Sequence, residues 1–112
     1  MAITLLQQME ADRIKEREVL RKDTLRELRV ALDRLVPTES VIVFGSLVKP
    51  GRFKETSDVD LALEHEPRSM NVLQLMSLLA ETLGRPVDVV LLSDCRFREK
   101  VLREGEKWTL RD

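Results

Sequence analysis

Residues 41–63 read VIVFGSLVKPGRFKETSDVDLAL, and the two ends of this stretch decide the fold. Val41 to Phe44 is a short apolar run that stops at Gly45, the pattern of a buried strand entering a tight turn. Val59, Leu61 and Leu63 alternate with Asp58, Asp60 and Ala62, which is the period-two pattern of a strand with one face in the core. Asp58 and Asp60 therefore share the other face. The segment between them, Leu47 to Ser57, reads as a loop or a loop with one helical turn.

Downstream, Val72, Leu75, Met76, Leu79 and Leu83 form the apolar face of a helix predicted from Met70 to about Leu83, with Ser69 as N-cap and Gly84 as the stop. Val87 to Leu92 is a second buried strand, interrupted by one acid, Asp88. Ser93 or Asp94 is placed to cap a final short helix through about Glu104, and Trp108 to Leu110 to add an edge strand.

Upstream, Ala2 to Val36 contains no glycine or proline, and Leu25, Leu28, Leu32 and Leu35 recur at helical spacing. One long helix is expected. At about 1.5 Å per residue it would reach roughly 50 Å, against roughly 30 Å for the diameter of a small domain. It must bend near the charged run Asp12 to Asp23 or overhang. Its leucine stripe could serve a dimer seam, but packing on its own sheet is the more economical use.

The whole chain of 112 residues suits one small domain: a helix over 1–36, a catalytic core over 41–92 and a C-terminal helix and edge strand over 93–112. Lys and Arg number 19 against 20 Asp and Glu, so bulk charge gives no indication of nucleic-acid binding. The apolar stretch at the N-terminus is too short for a secretory signal or membrane span. Cys95 is the single cysteine, which excludes an internal disulfide and a cysteine-rich zinc site and fits a reducing cytoplasm.

Paired aspartates two apart on a strand offer adjacent hard oxygen ligands for magnesium, although such a pair is common. Gly45 allows close backbone approach to a phosphate, and the Ser46 hydroxyl can donate to it. Asp88 sits in the apolar run Pro86-Val87-Asp88-Val89-Val90, where an unpaired buried charge would cost several kcal/mol. It needs a metal, a reacting hydroxyl or a base such as Arg85. His65 lies between Glu64 and Glu66 with no second histidine in the chain and is expected at the surface. Cys95 has no visible activating partner.

Together, FGSLVKPGRFKETSDVDLAL, a helix and PVDVVLL resemble the DNA polymerase beta-like nucleotidyltransferase superfamily, in particular its minimal MNT-type branch. The resemblance runs from Val41 to about Leu92. It implies an α/β fold with a small mixed sheet, and a chemistry that transfers a nucleoside monophosphate from a triphosphate to a hydroxyl. The match covers Gly45, Ser46, Asp58, Asp60 and Asp88. It implies that the three acids hold magnesium, that Gly45 and Ser46 grip the leaving phosphates, and that Asp88 helps activate the acceptor hydroxyl. Lys49 stands where many relatives carry a base and is assigned to the triphosphate, ahead of Arg52 and Lys54.

Relatives of this size are typically antitoxins whose partner is a HEPN ribonuclease toxin, and some add AMP to it. The resemblance thus implies ATP-dependent adenylylation of a protein hydroxyl. The alternative is a non-catalytic antitoxin or binding module that blocks its partner by contact. Modification of a small molecule is a third reading, but those larger relatives build the acceptor pocket with an extra helical domain.

Overall fold

The computed structural model describes residues 4–110. The long helix forms without a break: α1 spans Leu5–Leu35. Thr4 caps it, accepting from the Gln7 amide while the Gln7 side chain accepts from the Thr4 amide, so two orphan N–H groups are satisfied reciprocally. Ala2 and Ile3 lie outside the described residues. Of the two alternatives, bend or overhang, the helix overhangs. Thr4 to Glu16 are all exposed, and the molecule extends 57 Å along its longest axis against 28 and 26 Å along the others.

Four strands follow: β1 (Ser40–Phe44), β2 (Val59–Leu63), β3 (Val87–Leu91) and β4 (Glu106–Thr109), with α2 (Val72–Leu83) and α3 (Arg98–Glu104) between them. The sheet order is β3-β2-β1-β4. β1 runs antiparallel to β2 and to β4, and β2 runs parallel to β3, as a mixed sheet requires. The parallel pair needs a crossover, and α2 supplies it.

Alternation along the strands sends two apolar sets to opposite faces. Val41, Val43, Leu61, Leu63, Val87 and Val89 pack with Leu28, Leu32, Leu75 and Leu79 in the main core beneath α1 and α2. Leu28 and Leu32 are fully buried, and Leu25 and Leu35 pack at the edge of the same cluster, so the leucine stripe is used against the chain's own sheet. The second face carries a smaller cluster: Ile42 and Ala62 from the strands, with Leu92 and Val101 from the segment that folds back over them. This cover is short, and it leaves one end of the second face open.

Three expectations at element ends are corrected. α2 begins at Val72 rather than Met70, because Asn71 and Gln74 form a reciprocal capping box; Ser69 instead donates to the Leu35 carbonyl at 3.3 Å. Neither Ser93 nor Asp94 caps the last helix: they lie in a 3-10 turn at Leu92–Asp94, and α3 starts only at Arg98 with no side-chain cap. The final strand starts at Glu106, earlier than Trp108, since Gly105 accepts the close approach of Val101 and Ile42 and turns the chain directly onto β1. Among the described residues no helix is long and apolar enough to cross a membrane.

Candidate active site

The open end of the second sheet face is where the sequence-predicted residues meet. Strand register places Phe44 opposite Asp60, and Asp60 opposite Asp88, so the three form one row across β1, β2 and β3. Neighbouring strands lie about 4.8 Å apart, which brings the two carboxylates within strong electrostatic reach of each other. Asp58 comes just before β2, two residues from Asp60, and joins the same side.

Among the described residues, none of the ion pairs includes Asp58, Asp60 or Asp88. Burial raises the Asp60 carboxyl above its usual range, and the negative charges of Asp88 and Asp58 push it further in the same direction. The side chains are not gathered at metal-ligating distance as they stand: among the described residues no three acids, imidazoles or thiols converge on one point.

Asp88 itself is exposed, which overturns the expectation of a buried acid in need of a partner. Alternation sends Val87 and Val89 into the main core and Asp88 to the second face, where the cover reaches Val90 but not Asp88 at the edge of the sheet. Arg85 is not its partner either. The Arg85 guanidinium donates to the carbonyls of Lys54, Glu55 and Ser57 at 3.3, 3.3 and 2.9 Å and stacks 4.7 Å over the Phe53 ring.

Gly45 and Ser46 open a 3-10 turn, Gly45–Val48, immediately after β1. Gly45 has φ +78°, a conformation that disfavours side chains, and a Cβ built on it would lie 2.5 Å from Asp60 Oδ2. The glycine is therefore required twice: by the turn and by the carboxylate that crowds it.

Lys49 follows this turn, but its ammonium is held by Glu104 Oε1 of α3 at 3.1 Å. That hydrogen bond keeps the Glu104 carboxyl below its usual range. Any triphosphate using Lys49 must compete with Glu104. Arg52 and Lys54 are exposed on the loop. His65 is exposed beyond the far end of β2, 3.6 Å from Glu39 Oε1, and Cys95 packs against the second cluster.

Sequence reasoning missed the residues that hold the loop before Asp58. Arg21 of α1 donates to the Leu47 carbonyl at 3.2 Å and grips Glu18, and Glu18 accepts from the Gly51 amide at 3.0 Å. With Arg85 at the other end, the loop is clamped twice, and Phe53 is fully buried between. These pairs are separated by 26 to 33 residues in the chain, so no local pattern announces them.

A mixed sheet backed by two helices, with acids aligned beside a glycine turn on its open face, has the architecture of a nucleotidyltransferase domain. The sequence profile of the family described as polymerase beta, nucleotidyltransferase, matches residues 26–112, and the chain belongs to that family. No match is found among curated proteins. Among solved structures, a chain from the crystal structure of a toxin-antitoxin with AMP-PNP is similar, with a TM-score of 0.57 and 24% identity. The similarity covers 74% of this chain and 71% of that one, and it is a likeness of fold.

Proposed function

We propose that this protein is a minimal, MNT-type nucleotidyltransferase that transfers AMP from ATP to a hydroxyl of a partner protein, and that the partner is a HEPN ribonuclease toxin neutralised by the modification. The observation that carries the reading is the row Asp60–Asp88 with Gly45 pressed against Asp60. Family membership supports nucleotidyl transfer. The likeness to a toxin-antitoxin structure with AMP-PNP supports the nucleotide and the setting.

The donor set fits magnesium. Asp58, Asp60 and Asp88 are hard oxygen donors with no ion-pair partner among the described residues, and a divalent cation would offset both the burial and the like-charge repulsion that raise Asp60. Bound by these residues, the metal would neutralise charge on the triphosphate. The Gly45 turn allows the phosphates to approach its backbone, and Ser46 donates its hydroxyl to them. Asp88 takes the proton of the acceptor hydroxyl as the acceptor oxygen bonds to the α-phosphorus. The bond from that phosphorus to the β-phosphate's bridging oxygen breaks, and pyrophosphate leaves with the electron pair. Positioning and charge stabilisation carry most of such a reaction.

A second reading, neutralisation by contact alone, has one observation in its favour. The overhanging start of α1 exposes Leu5, Leu6, Met9 and Ile14, all at least 49% accessible. One experiment separates the two: the protein is incubated with magnesium, ATP labelled at the α-phosphate and the toxin, beside an Asp58→Asn control. Label on the toxin that disappears with the control supports transfer. A stable complex without label, and neutralisation by an Asp58→Asn, Asp60→Asn variant at equal concentration, would establish the contact reading.

A further inference from the structure

Beside the acid row lies a cavity of about 360 Å³ lined by Phe44, Gly45, Lys49, Phe97, Lys100 and Val101. Its volume is within the roughly 300–1,000 Å³ range of small-molecule sites. Phe44 and Phe97 are in tilted aromatic contact within its wall, ring centroids 6.3 Å apart and planes at 60°. Phe97, the residue before α3, is a large apolar side chain left 51% exposed. The rim is polar: Glu104 holds Lys49 at 3.1 Å and Lys100 at 4.0 Å.

We propose that this cavity receives the nucleobase of the donor nucleotide, with Phe97 as its stacking platform. The inference rests on the nucleotide-transfer reading and extends it to the substrate's aromatic half.

Position decides which part of the reaction the cavity serves. In the row Phe44, Asp60, Asp88 the cavity opens at the Phe44 end, and Asp88 stands at the other. The acceptor hydroxyl belongs with Asp88, so the Phe44 end belongs to the donor. Gly45, assigned to the donor's phosphates, is itself part of the cavity wall. Chemistry decides which part of the donor enters. Phosphates would find Lys49, Lys100 and the Gly45 turn at the rim, but against the inner wall of Phe44, Phe97 and Val101 their oxygens would lose water without gaining partners, whereas a base gains stacking and contact area there. Lysine ammonium and Glu104 carboxylate at the rim offer a donor and an acceptor to the polar edge of a base.

A cavity of about 350 Å³ lies on another side of Phe97, against Val90, Leu91 and Arg96, and touches neither Gly45 nor Lys49. A third, about 380 Å³, lies between α1 and the loop before Asp58 and is lined by Arg13, Glu16, Arg17, Lys54 and Glu55. It offers no aromatic surface.

The test is equilibrium binding of ATP and of inorganic tripolyphosphate, each with magnesium and without an acceptor protein, to the unmodified chain and to Phe97→Ala and Phe97→Trp. Phe97 is half exposed, so both variants are expected to fold. Alanine should weaken ATP roughly tenfold and leave tripolyphosphate unchanged, and tryptophan should restore ATP binding. Equal ATP affinity in Phe97→Ala, with tripolyphosphate still bound, would overturn the base site and leave nucleotide transfer standing. Failure of the unmodified chain to bind either ligand would remove the nucleotide-transfer reading and this inference together.

Discussion

Gly45 and Asp60 are in such close contact that no side chain fits between them: a Cβ at position 45 would stand 2.5 Å from Asp60 Oδ2. The turn proposed to receive phosphate and the carboxylate proposed to hold metal thus constrain each other. Gly45→Ala must either displace Asp60 or distort the turn, on top of the strain of φ +78° in a residue with a Cβ. The expected cost is about 1–3 kcal/mol of stability together with loss of AMP transfer, read by denaturant unfolding and the labelled-ATP assay.

The acid row should oppose folding when no metal is present. Asp60 is raised by burial and by its like-charged neighbours, so its ionised form is disfavoured in the folded chain. A raised carboxyl favours folding at low pH and loses that advantage as pH rises through its folded value. Asp60→Asn is therefore expected to melt a few degrees higher than the unmodified protein at pH 7 in a chelator, about 1 kcal/mol being worth roughly 4 °C in a domain of this size, while losing transfer. A lower melting temperature would show that the carboxylate stabilises the fold.

Glu18 behaves in the opposite sense. The Arg21 guanidinium, and then the Gly51 amide, hold its carboxyl below the usual range. Its contribution is present above the unfolded value and lost as pH falls through the folded one. The difference in melting temperature between the unmodified protein and Glu18→Gln should be largest near pH 7 and vanish in acid, measured by a pH series of thermal melts.

Arg85 fastens the loop by three carbonyls and the Phe53 ring. Arg85→Ala should cost about 1–3 kcal/mol and slow transfer, because Asp58 lies one residue beyond the Ser57 carbonyl it holds. All three carbonyls accept from the single Nη1, a role an ammonium can fill in part, so Arg85→Lys should recover some of the loop clamp but not the flat stacking on Phe53.

Removing residues 1–16 takes away only exposed side chains among those described. Melting temperature should change by about 1 °C or less, since surface segments without packed contacts contribute little. Retained affinity for the proposed toxin partner, measured by calorimetry, would remove the observation behind neutralisation by contact. Lost affinity would assign the overhang to the partner.

The alternation in Asp58 to Leu63 and the apolar run into Gly45 made β1, β2 and the acid pair legible in the sequence, because strand periodicity is local. The outer place of β3 was not legible. A run such as Val87 to Leu91 reads as buried on both faces, and only the sheet order reveals that Asp88 faces solvent. The same limit hid the pairing of Lys49 with Glu104, the clamps on the loop and the aromatic cavity. Each joins residues far apart in the chain, and none carries a periodic signal. Asn71 was overlooked for Ser69 because both are capping residues, and the reciprocal partner Gln74 distinguishes them.

The family profile begins at residue 26, yet α1 passes that border without interruption, and Glu18 and Arg21 on its near side hold Leu47 and Gly51. The protruding turns are therefore continuous with the part of α1 that fastens the loop, so a partner bound at Leu5 or Met9 would hold the same helix that fixes the segment leading to Asp58.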